Sequence, residues 1–481
     1  MRTATHRLAL AAFLAAPACG ETGGPATATP RIDFVDGAVA PVLVRGQVLI
    51  VEGFGFGDLP GTVLFPAGGA AETPGLIDST AWHDLSVRAI VPDGAVSGTL
   101  AVVTTTGRRL TATVHVLPLV AFDPASLSWS ARSDFPRSPV GVALAVAEFP
   151  GPGGSLDATV YAAGGAEPIG GDSVMAPDSA MHVARAAPGG ILGSWQRQPD
   201  GSALPVRRAF AAAAVATPHN SPSGGAVLYV IGGVDAAGRA QTGVLGATVT
   251  GDAVVGPFVA LEPLPEPVAG ASAVIKRGRI YLVGGTDSVG RPLTRVLVAR
   301  VRADGRLDGW YAQPPLPLPR AYGGAVVLDE HAAAFGGVAD SVPPGGGLDA
   351  APPRLVTGDT AAVSLLSGFF AGGWGAGPPS LPDGRSQFAT LDLGNVVLAV
   401  GGMYGGAATN SAETIAAVVT GDALGAFAGP VGLNTIAALG GGTLVVPAGA
   451  RWRDADGSRH GVIVGGMDLI TRQRRAGSWG F

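Results

Sequence analysis

Tyr229-Val-Ile-Gly232-Gly233 and Tyr281-Leu-Val-Gly284-Gly285 each end a short apolar run with a pair of glycines. The same arrangement recurs as Tyr161-Ala-Ala-Gly164-Gly165, Ala333-Ala-Phe-Gly336-Gly337, Leu398-Ala-Val-Gly401-Gly402 and Val462-Ile-Val-Gly465-Gly466. A period of about 50 residues or somewhat more, with a strand that ends in a double glycine, is typical of β-propeller blades. The repeat therefore predicts a propeller of six blades.

Each repeat also carries the signals of a second hairpin. Glycine and aspartate mark its turn at Gly251-Asp252, Asp304-Gly305, Gly358-Asp359 and Gly421-Asp422. In three repeats an aromatic residue follows the second glycine at the same interval, as Phe258, Trp310 and Phe427. This constant interval predicts four strands in each blade, with the aromatic side chain packed between blades.

The last repeat is too short to supply all four of its strands. The sequence ends at Phe481, before the interval that separates Gly233 from Phe258 is complete after Gly466. We therefore expect Ser126 to Arg132, around Trp129, to complete this blade beside the C-terminal segment and so close the ring. The longer repeats contain inserts, at Ala166 to Pro177 and Val338 to Pro353, which we expect to be blade loops on one face.

Composition supports an all-β chain with more than one folded unit. The 481 residues include 76 Gly and 39 Pro, which interrupt helices, and 47% are hydrophobic against 14% charged. The net charge of -5 and the pI near 5.8 offer no basic surface for phosphates. We therefore expect no nucleic-acid partner.

The segment from residue 118 to residue 481 resembles the kelch repeat family. The resemblance rests on the order Leu-Asp-Gly-Trp310, Leu316-Pro-Leu-Pro-Arg320, Ala325-Val-Val327 and Phe335-Gly-Gly337. It implies a kelch-type propeller that binds a partner through its loops. Some kelch propellers are enzymes, but galactose oxidases need a cysteine crosslinked to tyrosine, and the single cysteine, Cys19, lies outside this segment. Similarity to six-bladed sialic-acid epimerases remains open.

Three arginines share one position of the repeat. Leu204-Pro-Val-Arg-Arg208, Leu316-Pro-Leu-Pro-Arg320 and Leu381-Pro-Asp-Gly-Arg385 align, whereas other repeats have Pro139 or Val268 there. The kelch resemblance places this position at the mouth of the central channel. We expect Arg208, Arg320 and Arg385 to bind a carboxylate or a sugar acid, since guanidinium groups suit such ligands. The alternative interpretation is that they bond backbone carbonyls where strands begin.

Residues 31 to 117 form a separate predicted unit. Short alternating strands such as Val48-Leu-Ile-Val-Glu-Gly53 and Leu85-Ser-Val-Arg-Ala-Ile-Val91 are typical of a β-sandwich. The run Gly46-Gln-Val-Leu-Ile-Val-Glu-Gly53-Phe-Gly55-Phe-Gly57, followed by Trp82-His-Asp84, resembles the IPT/TIG family of immunoglobulin-like domains. That resemblance implies a spacer or adhesion module.

The N-terminal residues have the layout of an export signal. Arg2 and Arg7 precede an apolar stretch, and residues 1 to 19 end in Leu14-Ala-Ala-Pro-Ala-Cys19, which resembles a bacterial lipobox. We expect Cys19 to be lipidated, with an ordinary cleaved signal peptide as the alternative. Residues 20 to 30, rich in Gly, Thr, Ala and Pro, then serve as a flexible tether.

Other candidate sites have simpler interpretations. Asp454-Ala-Asp456-Gly457-Ser458 contains part of a calcium-loop pattern but lacks its further oxygen ligands, so we expect a hairpin turn. His83 and His115 have no metal-type residue at a chelating spacing, and His182, His219, His331 and His460 are far apart in sequence. We expect no metal and no cofactor, and no catalytic set is visible.

These patterns predict an exported, lipid-anchored protein of the bacterial cell envelope that binds a protein or glycan without catalysis. The expected location is the outer membrane, with secretion as the alternative. Two other functions stay open. One is a carbohydrate-active enzyme, similar to a sugar-acid epimerase or a lyase, acting at the channel mouth. The other is a structural component of the envelope.

Overall fold

The computed structural model describes residues 29–137, 139–151, 155–168, 175–216, 225–339, 358–366, 369–377, 381–404, 413–421, 423–436, 447–467 and 476–481. Cys19 and most of the tether, and parts of both predicted inserts, lie outside these residues. The chain is all-β, with three single-turn 3-10 helices at Ser79–Ala81, Pro124–Ser126 and Asp200–Ser202 among the described residues. No helix in the described part is long and apolar enough to cross a membrane.

Residues 31–117, the N-terminal unit, form two sheets that enclose one core. One sheet contains Arg31–Val35, Val48–Phe54, Ser86–Ile90 and Leu76–Ile77. The other contains Val42–Val44, Arg109–Leu117, Gly98–Val103, Thr62–Pro66 and Glu72–Pro74. Alternate side chains of these strands point inwards, so that Leu49, Val51 and Phe65 are buried together, and Trp82, which follows the 3-10 helix Ser79–Ala81, joins the same core. The alternation seen in the sequence accounts for this arrangement.

The described residues of 118–481, the C-terminal unit, form six antiparallel sheets of four or five strands, numbered here in chain order. They also form two two-stranded sheets, Ala166–Pro168 with Met175–Pro177 and Arg385–Ser386 with Met403–Tyr404. Sheet 1 contains Ala143–Pro150, Leu156–Ala163 and Met181–Ala187, with both Ile191–Leu192 and Gln196–Arg197 at its edge. Sheet 2 contains Ala212–Ala216, Ala226–Ile231, Val244–Val249 and Val259–Ala260. Sheet 3 contains Ser272–Lys276, Arg279–Val283, Val296–Arg300 and Tyr311–Gln313.

Sheets 4 to 6 repeat this order. Sheet 4 contains Gly324–Val327, His331–Phe335 and Thr360–Leu366, with Phe369–Phe370 and Gly375–Ala376 at its edge. Sheet 5 contains Ala389–Asp392, Val396–Val400, Thr414–Thr420 and Ala423–Ala428. Sheet 6 contains Ala448–Arg453, Arg459–Val464 and Ser478–Gly480, and its fourth strand is Ser130–Ala131 from the start of the unit. The segment around Trp129 thus pairs with the C-terminal segment, as the length of the last repeat predicted.

The first strands of the six sheets lie next to one another. Each contacts the first strand of the following sheet, and the first strand of sheet 6 contacts that of sheet 1. The second strands are mostly buried, and Arg279–Val283 and Val396–Val400 are buried along their whole length, which explains their apolar sequences. The all-β arrangement is consistent with a propeller-like fold.

Aromatic residues fill the spaces between neighbouring sheets, and Trp310 is one of those predicted. Trp310 packs into a cluster that joins sheets 2 and 3, and its indole nitrogen donates to the carbonyl of Glu262 at 3.1 Å. Trp374 donates in the same way to the carbonyl of Pro314 at 2.9 Å. The insert predicted as a loop from Ala166 to Pro177 instead pairs Ala166–Pro168 with Met175–Pro177 as a two-stranded hairpin.

The two ends of the six sheets differ in what covers them. We call the end that carries the glycine pairs the double-glycine face. We call the opposite end, where the first strand of each sheet turns into the second, the hairpin face. The N-terminal unit lies against the hairpin face, because Gly37 sits directly on the turn at Arg277 and Gly278.

Ion pairs, one of them buried, hold the N-terminal unit in this position. Nε of Arg277 lies 2.9 Å from Oδ1 of Asp36, and its Nη2 donates to the carbonyl of Val48 at 3.1 Å. A second pair joins Arg88 of the N-terminal unit to Glu330 of the turn in sheet 4. The double-glycine face makes no such contact with this unit among the described residues.

Candidate functional site

The glycine pairs lie where neighbouring sheets approach most closely. In Gly284-Gly285 both residues have positive φ, +66° and +95°, and a Cβ on Gly284 would lie 2.3 Å from the carbonyl oxygen of Arg320. The amide of Gly285 donates to that same carbonyl at 2.9 Å. Gly164-Gly165 is placed in the same way against the carbonyl of Arg208. Glycine is therefore required for conformation and for space, and each pair bonds one sheet to the next.

The three arginines predicted as ligand-binding residues occupy equivalent buried positions at this face. Nη1 of Arg208 donates to the carbonyl of Gly232 at 3.1 Å, and Nη1 of Arg320 donates to that of Gly336 at 2.8 Å. Arg385 donates to Gly401 at 3.1 Å. Each guanidinium thus bonds the first glycine of the pair in its own sheet, which matches the alternative interpretation of these residues.

Burial governs the electrostatics of these arginines. It lowers the pKa of Arg208, an effect that Asp235 partly opposes, and it lowers the pKa of Arg320 despite the carboxylate of Asp359, whose Oδ2 lies 3.0 Å from Nη2. The structure keeps the three side chains in separate sheets and does not bring them together. Ligand binding by Arg208, Arg320 and Arg385 stays a prediction.

A cavity runs between the first strands of all six sheets. It has a volume of about 830 Å³. Alanine and valine are the most frequent residues of its wall, and the three arginines do not line it. At the hairpin face the cavity is bordered by Asp36, residues 38–42 and His115 of the N-terminal unit. At the double-glycine face it is bordered by Phe210, Tyr322 and Gln387. The cavity and the predicted arginine site are therefore separate features.

Two aromatic rings narrow the cavity at the double-glycine face. Phe210 and Tyr322 meet edge to face, with ring centroids 5.9 Å apart. Both have positive φ, +54° and +55°, a conformation that large residues adopt rarely. The rings lie over Gly141 and Gly270 of the preceding sheets, where a Cβ would clash with them. Sequence reasoning missed these residues. The signal was that, from one repeat to the next, the position shortly before the first strand holds a glycine and a large residue in turn.

The residues that border this mouth also form a chain of backbone hydrogen bonds. The amide of Phe210 donates to the carbonyl of Gly141, and Gly270 to Phe210, at 2.8 and 2.9 Å. Tyr322 donates to Gly270 and Gln387 to Tyr322, at 2.9 and 2.8 Å. All five residues have positive φ. We call this chain of hydrogen bonds the inner ring. It connects sheets 1 to 5 around the cavity, and the equivalent residue of sheet 6 lies outside the described residues.

Charged side chains line the cavity near the hairpin face. Glu148 of sheet 1 accepts hydrogen bonds from Arg453 of sheet 6, with Nη2 2.5 Å from Oε2. Burial raises the pKa of Glu148, but Arg453 outweighs this and holds it below its usual value. Lys276 pairs with Asp329 at 2.8 Å. Arg451 and Asp392 complete the charged lining.

The remaining candidates that the structure describes do not assemble a catalytic or metal site, and His219 lies outside the described residues. The Asp454 to Ser458 segment is the predicted hairpin turn, closed by the amide of Asp454 on the carbonyl of Ser458 at 3.0 Å. His460 contacts Asp454 and Ser458 through the same ring nitrogen, Nε2, so these three cannot work as a proton relay. His182 is buried, which lowers its pKa to about 4. The described residues hold no group of three or more metal-ligating side chains.

Comparison with known proteins gives a limited result. No family model matches the chain. Beta-scruin of Limulus polyphemus is 29% identical over 112 residues, which is 23% of this chain and 12% of Beta-scruin. Among solved structures, one described as the structure of YjhT has a TM-score of 0.48 and 14% identity, over 72% of this chain and 95% of that one. At that level of similarity the second likeness carries no argument.

Proposed function

We propose that this chain is an exported binding protein in which a six-bladed kelch-type propeller engages a protein partner through its double-glycine face. The six sheets and their contacts in chain order support the six blades, with Ser130–Ala131 as the strand that closes the ring. The recurring glycine pairs and the similarity to Beta-scruin support the kelch type.

The observation that carries the partner site is the unequal covering of the two faces. The N-terminal unit occupies part of the hairpin face, so the double-glycine face is the one left for a partner. Exposed apolar side chains project there from the connections and loops, at Val206, Val289 and Leu318, whose exposed fractions are 47%, 57% and 45%. Aliphatic side chains in surface loops suit a protein partner better than a polar glycan.

The N-terminal unit has a fixed place in this proposal. Its two sheets and its buried Trp82 support an IPT/TIG-like, immunoglobulin-like domain. Because Arg277 ties it to the propeller, it holds the double-glycine face in one orientation relative to the tether. We propose that Cys19 carries the lipid that anchors the protein to the bacterial envelope, with the tether between the lipid and the N-terminal unit.

Site-specific crosslinking in the producing cell tests the partner site. A photoreactive amino acid at Val206, Val289 or Leu318 should crosslink one and the same protein, whereas equally exposed apolar controls at Val418 and Leu76 should not. The purified partner should then bind the full chain, and a Val206→Glu, Leu318→Glu variant should weaken binding at least tenfold. Crosslinks of equal yield from the control positions, or a glycan as the species captured, would refute the proposed site.

Lipidation is tested separately. Wild-type protein should incorporate a labelled fatty acid and sediment with membranes, and Cys19→Ala should do neither. Labelling that survives this substitution would overturn the anchor without affecting the partner site.

A further inference from the structure

One level of the cavity wall has an unusual division between apolar and charged side chains. Strand register makes Ala143, Ala212, Ser272, Gly324, Ala389 and Ala448 equivalent, because each pairs with the residue before the first glycine of its sheet. Three residues further along each strand stand Val146, Val215, Ile275, Val327, Asp392 and Arg451, all of which line the cavity. We call these six residues the divided ring. Sheets 1 to 4 supply its aliphatic side, and sheets 5 and 6 supply its two charges.

Arg451 is the charge of this ring that makes no hydrogen bond or ion pair among the described residues, although it attracts the carboxylate of Glu148 and helps to lower its pKa. Its side chain is exposed to the cavity and makes no hydrogen bond or ion pair within that part of the chain. Neighbouring charges at this end are already engaged, Arg453 by Glu148 and Lys276 by Asp329. A guanidinium group has five donors in a planar fork. Arg451 can therefore present its fork to a molecule in the cavity.

The surroundings of Arg451 have an excess of positive charge. Arg451, Arg453 and Arg459 are opposed by two carboxylates, Glu148 and Asp392. Burial, followed by repulsion from Arg451 and Arg453, lowers the pKa of Arg459 to about 10. A bound anion would relieve this repulsion, whereas a bound cation would increase it.

We propose that the divided ring binds a small monocarboxylic acid with an apolar body. The carboxylate lies on the guanidinium of Arg451, where a bidentate pair of charge-assisted hydrogen bonds can form. The apolar body lies against Val146, Val215 and Ile275, which removes hydrocarbon surface from water. Asp392 repels a second carboxylate and so excludes dicarboxylic acids.

Calorimetric titration of the full chain with acetate, butanoate and hexanoate tests both halves of the site. Affinity should rise about fourfold with each added methylene group, the value for burying one methylene. Hexylammonium, whose hydrocarbon chain is one methylene longer than that of hexanoate and whose charge is opposite, should not bind, and inorganic phosphate should bind no better than acetate. Equal affinity for all three acids, or binding of hexylammonium, would overturn the proposal.

A substitution of Arg451 tests its contribution to ligand binding separately from the stability of the fold. Arg451→Gln should reduce hexanoate affinity at least tenfold, and it should fold normally because the side chain makes no polar contact with the described residues. Arg306→Gln removes an arginine that is exposed outside the cavity and should leave the affinity unchanged. Absence of binding in the wild type, or binding that survives Arg451→Gln, would refute the site, and neither result depends on the protein partner proposed above.

Discussion

Replacing Gly284 by alanine should destabilise the protein far more than a surface glycine substitution does. The first contribution is conformational, because alanine at φ +66° is disfavoured by about 1 to 2 kcal/mol. The second is steric, because the new Cβ would lie 2.3 Å from the carbonyl oxygen of Arg320. That oxygen belongs to the backbone of the next sheet and cannot move by a simple side-chain rotation.

The displacement also breaks a hydrogen bond between sheets. The amide of Gly285 donates to the same oxygen at 2.9 Å in a buried setting, and leaving such groups unpaired costs about 1 to 3 kcal/mol. Together these effects give an expected loss of about 2 to 5 kcal/mol in the free energy of unfolding for Gly284→Ala.

Gly421→Ala is the matched control. Gly421 has φ +55° and nothing lies within 4 Å of the position that its Cβ would take. Alanine there should therefore lower the free energy of unfolding only through its backbone conformation, by about 1 kcal/mol. Urea unfolding of both variants, followed by tryptophan fluorescence, gives the difference from the midpoints and slopes. The reasoning is refuted if the free energies of unfolding of the two variants differ by less than about 1 kcal/mol, because the conformational cost alone would then explain both losses.

Three further predictions concern buried charges. The depressed pKa of His182, about 4 against 6.5 when unfolded, means that the unfolded chain takes up the proton first, so about 3 kcal/mol of stability should be lost between pH 6.5 and 4. Urea titrations of His182→Phe should lack that part of the pH dependence, and an unchanged slope would contradict the assignment. Arg453→Gln leaves Glu148 buried without its partner and should cost about 3 to 5 kcal/mol at pH 7. Because the pKa of Glu148 should then rise, its side chain can be protonated at pH 5, and the loss of stability should be smaller there. An equal loss at both pH values would contradict this prediction. Arg277→Gln removes the ion pairs to Asp36 and Asp329, so calorimetry should show the N-terminal unit melting in a separate, earlier transition. A single, unchanged transition would show that the turn at Arg277 does not hold the two units together.

Local sequence patterns predicted the strands and their order well. A glycine pair after an apolar run marks a strand end because only glycine satisfies both the positive φ and the close approach seen at Gly284. The length of the last repeat was equally informative, because too few residues followed Gly466 to finish the last sheet, and Ser130–Ala131 pairs there. Such features depend on the local backbone or on counting, and both can be read from one sequence.

The contents of the cavity could not be predicted in this way. Whether Arg451 or Trp452 faces the cavity depends on the register of one strand against its neighbour, because successive side chains point to opposite faces. The position of the N-terminal unit was also invisible, because it depends on Arg277 meeting Asp36, and the two are far apart in the sequence. Alignment did identify Arg208, Arg320 and Arg385 as equivalent, but it could not show that each bonds a carbonyl in its own sheet.

The inner ring acts mechanically as a partial hoop of fixed length, because its four described links join sheets 1 to 5 around the cavity. Each of its described links is a backbone hydrogen bond between neighbouring sheets, so the width of the cavity mouth does not depend on how long the rest of a repeat is. The shortest and the longest repeats contribute one link each, and the extra residues are accommodated outside the hoop. Loops on the double-glycine face can therefore be lengthened, exchanged or diversified, as in a binding scaffold, while the cavity behind them keeps its dimensions.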